Sequence, residues 1–141
     1  MNWQTLAATS QYRAAMAIRE ELDAGNPAEA TRGLDELILA ISRSEKRALK
    51  SQLIRLMVHV IKWRTQPERR SFSWVATINN ARDEIEDIRE ETPSLNESVI
   101  RALWDKAWVA AKREAAAEMN RAVTIESLEW DELFVLQYEL Q

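Results

Sequence analysis

The sequence predicts an all-α fold: a single-domain helical bundle of about five main helices plus a short C-terminal element. Three observations carry that expectation. Apolar residues recur at three- and four-residue spacing through most of the chain, the period of one face of an α-helix. Gly25, Pro27, Pro67 and Pro93 fall where such patterns stop, in a chain of 141 residues with only two Gly and three Pro. Its hydrophobic fraction of 46% includes six Trp, and a chain of this length buries on the order of 68% of its unfolded surface.

The first predicted helix covers residues 3–24, with Trp3, Leu6, Ser10, Ala14, Ala17 and Leu22 close to helical spacing. Gly25-Asn26-Pro27 stops it and starts the next. Asn26 is placed to cap that second helix, with Pro27 at its first position and Glu29 three residues after the cap, able to bond back. Ala30, Leu34, Leu37 and Ile41 form its expected buried face. Ser42 and Glu45 repeat the capping-box spacing, so a third helix is expected from about Arg43.

The third helix organises the chain. Leu49, Leu53, Leu56, Met57, Val60 and Trp63 share one face, widened by Ile54, Val58 and Ile61 to an arc of about 200°, broader than a surface stripe. Such a helix is central. Gln52, Arg55, His59, Lys62 and Gln66 gather on the remaining polar strip. Pro67, which lacks an amide hydrogen and restricts Gln66, ends the helix. Ser71 or Ser73 then caps a fourth helix with Trp74, Ile78, Ala81, Ile85 and Ile88 inward and Asp83, Glu84, Glu86, Asp87, Glu90 and Glu91 outward. Thr92-Pro93 ends it, and Ser94 with Glu97 gives a third capping-box spacing. The fifth helix runs through Val99, Ile100, Leu103, Trp104, Ala107, Trp108, Ala111, Ala115 and Met119. From Thr124 two readings stay open: a short helix with Leu128, Leu133 and Leu136 inward, or an edge strand at FVLQYEL. Trp63, Trp74, Trp104 and Trp108 are expected to contribute to the core.

Cysteine is absent, which excludes disulfides, thiolate metal sites and cysteine nucleophiles and suits a reducing cytoplasm. The N-terminal residues lack the basic-then-apolar pattern of a signal peptide, and no apolar run reaches the ~18 residues of a membrane span. A cytoplasmic protein without a membrane partner is expected. The net charge of −4 is unevenly spread: residues 43–70 hold nine basic residues against Glu45 and Glu68, a local +7 that leaves −11 elsewhere. Five acidic residues and no basic one follow Thr124.

Between Leu34 and Leu95 the segments LDELI (34–38), SRSEKRALKSQLIRL (42–56), HVIKW (59–63), QPERRSFSW (66–74), TI (77–78), Arg82, Ile85 and TPSL (92–95) form an ordered set. In these the chain resembles a family of small bacterial proteins called domain of unknown function 29. AWVAAKREAAAE at 107–118 looks like the next helix of that family, giving a family-like core over 34–118. The family's proline- and cysteine-containing segment has no counterpart in Ala122–Leu128, which makes 122–141 the divergent part. The resemblance implies an all-α fold and no assigned activity.

No catalytic, cofactor-binding or metal site is expected from the residues. His59 is the only histidine, so a hydrolytic triad would have to run through it. Its helical neighbours Arg55, Leu56, Lys62 and Trp63 include no carboxylate to orient it, and the nearby cations disfavour its protonation. A helix-edge histidine bonded to Gln66 or to a backbone carbonyl is the plainer reading. Bundle di-metal centres use Glu-x-x-His pairs, which the chain lacks, and two glycines cannot build a phosphate loop.

One candidate surface remains, the basic helix-turn at 62–74, and with it His59, Lys62, Arg64, Gln66, Arg69 and Arg70. Three uses are open for these cations: internal pairing with the acidic helix or tail, an acidic protein partner, or phosphates of a nucleic acid, with an aromatic stacked on a base. Trp63 and Trp74 lie on apolar faces, which leaves Phe72 as the free aromatic. The functional expectation is a non-catalytic intracellular module that binds a protein, either a hetero-partner or itself. A nucleic-acid-associated or regulatory role ranks second and an enzyme using His59 with Lys62 and Arg69 last.

Overall fold

The computed structural model describes all 141 residues and contains helices and no strand. In chain order these are α1 (Trp3–Thr9), α2 (Gln11–Asp23), α3 (Pro27–Thr65), a 3-10 turn (Pro67–Arg69), α4 (Phe72–Glu91), α5 (Glu97–Met119) and α6 (Trp130–Phe134). Five longer helices and one short C-terminal helix match the expected architecture, yet by a different division of the chain. The expected first helix is two, and the expected second and third are one.

Ser10 makes the first difference. Its backbone is extended and its hydroxyl accepts the amide of Arg13 at 3.1 Å, capping α2. A helix-compatible position in the apolar pattern is used as a break, because serine competes for nearby backbone groups. The second difference is at Ser42 and Glu45, which lie inside the 39-residue α3. Their spacing mimics a capping box, but unbroken 3–4 periodicity on both sides keeps the helix continuous. Ser94 does not cap α5 either. Asn96 does, accepting from Val99 at 3.2 Å. Ser71 caps α4 as expected, accepting from Trp74 at 3.2 Å.

The chain divides into two compact units, Met1–Lys46 and Arg47–Gln141. In the first, α2 ends in a Schellman-type turn: Gly25 adopts φ +80°, its amide donates to Leu22 and that of Asn26 to Glu21, satisfying carbonyls the helix leaves free. Because the Asn26 amide is taken, Glu29 does not bond back to it. The Glu29 carboxylate instead accepts the Trp3 indole N–H at 2.7 Å and pairs with Arg32. The Trp3 bond is the largest cause holding the Glu29 carboxyl below its ordinary range. Trp3, Ala7, Ala14, Ile18, Ala30, Leu37 and Ala40 form the core of this unit. Gly33 lets the elements close up, since a Cβ there would stand 2.8 Å from both the Trp3 ring and Ile18. Leu34 and Ile41, expected inside, are exposed at 46% and 39%.

The second unit contains the rest of α3 with α4, α5, α6 and the C-terminal segment. Leu49, Leu53, Leu56, Met57, Val58, Val60, Ile61 and Trp63 of α3 are all buried, as the wide apolar arc requires. Ile78, Ala81, Ile85 and Ile88 of α4 and Ile100, Leu103, Ala107, Ala111 and Ala115 of α5 complete the helical core. Trp74, Trp104 and Trp108 pack against it half-buried, and Trp130 joins them, stacked on Trp104 at 5.9 Å. In the C-terminal segment only Trp130–Phe134 is helical, with Leu128 and Leu133 buried and Leu136 half-exposed. No helix is long and apolar enough to cross a membrane.

Candidate interaction surface at the turn between α3 and α4

From Arg55 onward the polar strip of α3 is progressively covered. Arg55 is exposed, Gln52, His59 and Lys62 are half-buried, and Gln66 is buried. Gln66 closes α3 through its amide to Lys62, and its carbonyl receives Arg69 at 2.9 Å to start the 3-10 turn at Pro67. Proline suits that first position because its missing N–H has no partner there anyway.

Most of the cations in and around the turn are engaged within this unit. Lys62 pairs with Glu118 of α5 at 2.7 Å and lies 5.8 Å from the Trp74 ring centre. Arg64 pairs with Glu132 at 3.1 Å and reaches the Ser127 carbonyl at 3.4 Å. Arg70 donates from Nε to the Trp63 carbonyl at 2.9 Å and stacks 4.6 Å above the Trp63 ring. Arg121, from beyond α5, donates to the Thr65 carbonyl. Carbonyls at a helix C-terminus carry partial negative charge, so Arg70 and Arg121 complement the end of α3. The acidic partners are α5 and the C-terminal segment. The outer carboxylates of α4 form no ion pair with the turn, and Arg82 turns inward to the Leu133 carbonyl at 2.5 Å instead of supporting Glu86.

Arg69 and Phe72 remain outward. Arg69 has no ion-pair partner and is exposed. Phe72, the first residue of α4, is 78% exposed, the highest value among the large hydrophobic residues of the chain. Its neighbours in the turn are tied down, so ring and guanidinium stand on a fixed base.

His59 donates from Nδ1 to the Arg55 carbonyl at 2.9 Å, the ordinary helix-edge arrangement. Burial is the main cause lowering its pKa, with Lys62 adding to the effect and the Arg55 bond and Glu118 opposing it. The imidazole lies beside the Lys62 ammonium, which is already paired with the Glu118 carboxylate. No group of three His, Cys, Asp or Glu side chains is placed to hold a metal ion. A cleft of about 550 Å³ lies elsewhere, between α4 and the C-terminal segment, lined by Arg82, Asp83, Glu86, Arg89, Trp130 and Phe134 among others.

Sequence reasoning missed the anchoring roles of Arg82 and Arg121. Arg82 sits beside Ala81 and Ile85 on the edge of the buried face, which was the available signal. Arg121 follows the last turn of α5, where periodicity carries no information.

The family described as Domain of unknown function DUF29 matches residues 29–133. That range takes in most of α3, all of α4 and α5, and α6 nearly to its end. No curated protein and no solved structure matches the chain.

Proposed function

The chain belongs to the DUF29 family, whose description assigns no activity, and on that premise we propose a non-catalytic protein-interaction module working through the helix-turn at residues 62–74. Exposure of Phe72 at 78% on a turn whose neighbouring cations are internally bonded is the observation that carries this reading. Aromatic and arginine side chains are enriched at interface hot spots. A turn whose backbone is already held in place loses less entropy on binding. The partner that suits the turn has an apolar pocket for the ring and a carboxylate for Arg69. Arg64, Arg70 and Lys62 act as the scaffold of the surface.

Affinity capture with and without nuclease tests this, comparing wild type with Phe72→Ala and Arg69→Glu. Both substitutions are at exposed positions and should leave the helical circular dichroism unchanged. The expected result is a protein recovered by wild type, resistant to nuclease and lost with either variant. Recovery that vanishes with nuclease would replace this reading with single-strand binding through the same ring and guanidinium. Identical recovery by all three baits would remove the turn from the function.

A further inference from the structure

The turn at 62–74 and the cleft beside the C-terminal segment complement each other. Phe72, Ala76, Asn79, Asp83, Glu86 and Glu90 of α4 are all exposed. At about 100° per residue their alternating four- and three-residue spacing keeps them within an arc of about 80°. Asp83 and Glu86 of this strip also form the α4 wall of the cleft of about 550 Å³, whose other wall carries Trp130, Phe134 and Val135. Phe72, at 78%, and Val135, at 56%, are the two most exposed large hydrophobic residues of the second unit. The cleft of its own chain is out of reach for Phe72. Asn79, the first residue of α4 to line it, stands about 10 Å further along the helix, and side chains on a helix tilt toward its N-terminus, here away from the cleft.

Charge and spacing select the occupant. Residues 72–82 of α4 carry Arg82 as their only charge, whereas residues 83–91 carry six carboxylates, none of them in an ion pair. Phe72 and Glu86 lie at equal distances on either side of Asn79, about 10 Å along the helix in each direction. Resting on the reading of the turn given above, we propose that its partner is the cleft of a second copy of this chain, the two α4 strips packing antiparallel about a two-fold axis at Asn79. That axis brings Phe72 of each copy to Glu86 and the cleft mouth of the other, with Arg69 beside the carboxylates of Glu86 and Glu90. Each contact is made twice by symmetry. Of the other cations lining the cleft, Arg82 is held inward by the Leu133 carbonyl, and Arg89 is about 100° round the helix from Phe72, off the strip. A two-fold axis parallel to the helices would instead set Asp83, Glu86 and Glu90 against their own copies. Roughly ten residues from each copy take part, against roughly 20–30 a side in a standard interface, which makes the dimer weak and concentration-dependent.

Sedimentation of the full chain from about 1 to about 500 µM tests the proposal. Wild type should pass from monomer to dimer over that range. Phe72→Ala and Glu86→Arg, both at exposed positions, should each weaken the dimer at least tenfold with unchanged circular dichroism. An equimolar mixture of the two variants should associate more tightly than either alone, because the intact ring of one then meets the intact cleft of the other. Wild type that remains monomeric throughout would overturn the proposal, as would a dimer insensitive to both substitutions or a mixture no tighter than its components. Assemblies that grow beyond a dimer would overturn the two-fold arrangement in favour of head-to-tail contacts. Affinity capture separates this failure from that of the turn itself: a monomeric wild type that still loses a captured protein on Phe72→Ala uses the turn for a different partner, and the second copy is excluded.

Discussion

Arg64, near the end of α3, and Glu132, in α6, form an ion pair at 3.1 Å across 68 positions of sequence. Glu132 carries more than this pair. Its carboxylate accepts the Glu129 amide at 2.9 Å, capping α6, and its carbonyl accepts the Tyr138 hydroxyl at 2.5 Å and Arg82 at 3.4 Å. Arg82 also holds the Leu133 carbonyl. Two arginines from different helices thus converge on consecutive residues of a five-residue helix, which is far too short to persist alone. Full burial of the Leu133 side chain completes the clasp.

Replacing Glu132 by Ala should therefore destabilise the chain more than replacing Arg64. The first change removes the ion pair and the cap together, the second only the pair and the bond to Ser127. Exposed pairs contribute up to about 1 kcal/mol and a cap about 1 kcal/mol. Denaturant midpoints should show roughly a twofold larger loss for Glu132→Ala. Equal losses would mean that the cap contributes nothing.

Gly33→Ala probes the first unit. In an exposed helix this change stabilises by about 1 kcal/mol. Here the new methyl meets the Trp3 ring and Ile18 at 2.8 Å, so overpacking of about 1–3 kcal/mol should win. Amide exchange in residues 3–24 should accelerate, and Trp3 fluorescence should move to the red. A protein stabilised by the change would show that Trp3 yields freely.

What the sequence made legible was whatever periodicity controls. Leu49 to Trp63 could be placed in the core because nine apolar residues share one broad helical face, and the Pro67 stop follows from a missing N–H. Capping-box spacing was a poorer guide. Ser42 and Glu45 satisfy it within α3, where no helix begins, because the motif records a local option that the continuing apolar pattern overrides. Ser10, lying on the repeat, hid a real break for the converse reason. The turn was recognised as basic, but which cations are tied down depends on Glu118 and Glu132. Those residues are 56 and 68 positions from Lys62 and Arg64, a separation on which helical spacing is silent. Phe72 was singled out as the free aromatic by elimination, and it is the exposed one.

His59 should make stability depend on pH below neutrality. Burial and Lys62 lower its pKa in the folded state from the ordinary 6.5, so the unfolded chain takes up the proton first. The imidazole's contribution is full above about pH 6.5 and is lost as pH falls towards the lower folded value. His59→Gln keeps a polar side chain at the site and removes the titration. The difference in melting temperature between the two proteins should change between pH 7 and pH 5, with wild type losing more. A constant difference would show that the histidine is not desolvated.

Tyr138 gives the opposite test at alkaline pH. Its ring meets Trp63 edge-on at 5.4 Å, Arg82 lies 5.4 Å from its centre, and its hydroxyl donates to the Glu132 carbonyl. Burial is the largest cause raising its pKa, with Glu132 adding and Arg82 and Arg64 opposing. Deprotonation also removes the donor of that hydrogen bond, so the unfolded chain ionises first. Stability held below pH 10 should fall as pH rises from there towards the folded value. Tyr138→Phe keeps the aromatic packing, should cost about 1 kcal/mol at neutral pH for the lost bond, and should lack this alkaline loss. Tyr138→Ala should cost about 3 kcal/mol or more, because the aromatic contact goes as well. If Phe and Ala proved equally destabilising, the hydroxyl rather than the ring would be what fastens the C-terminal segment to Trp63.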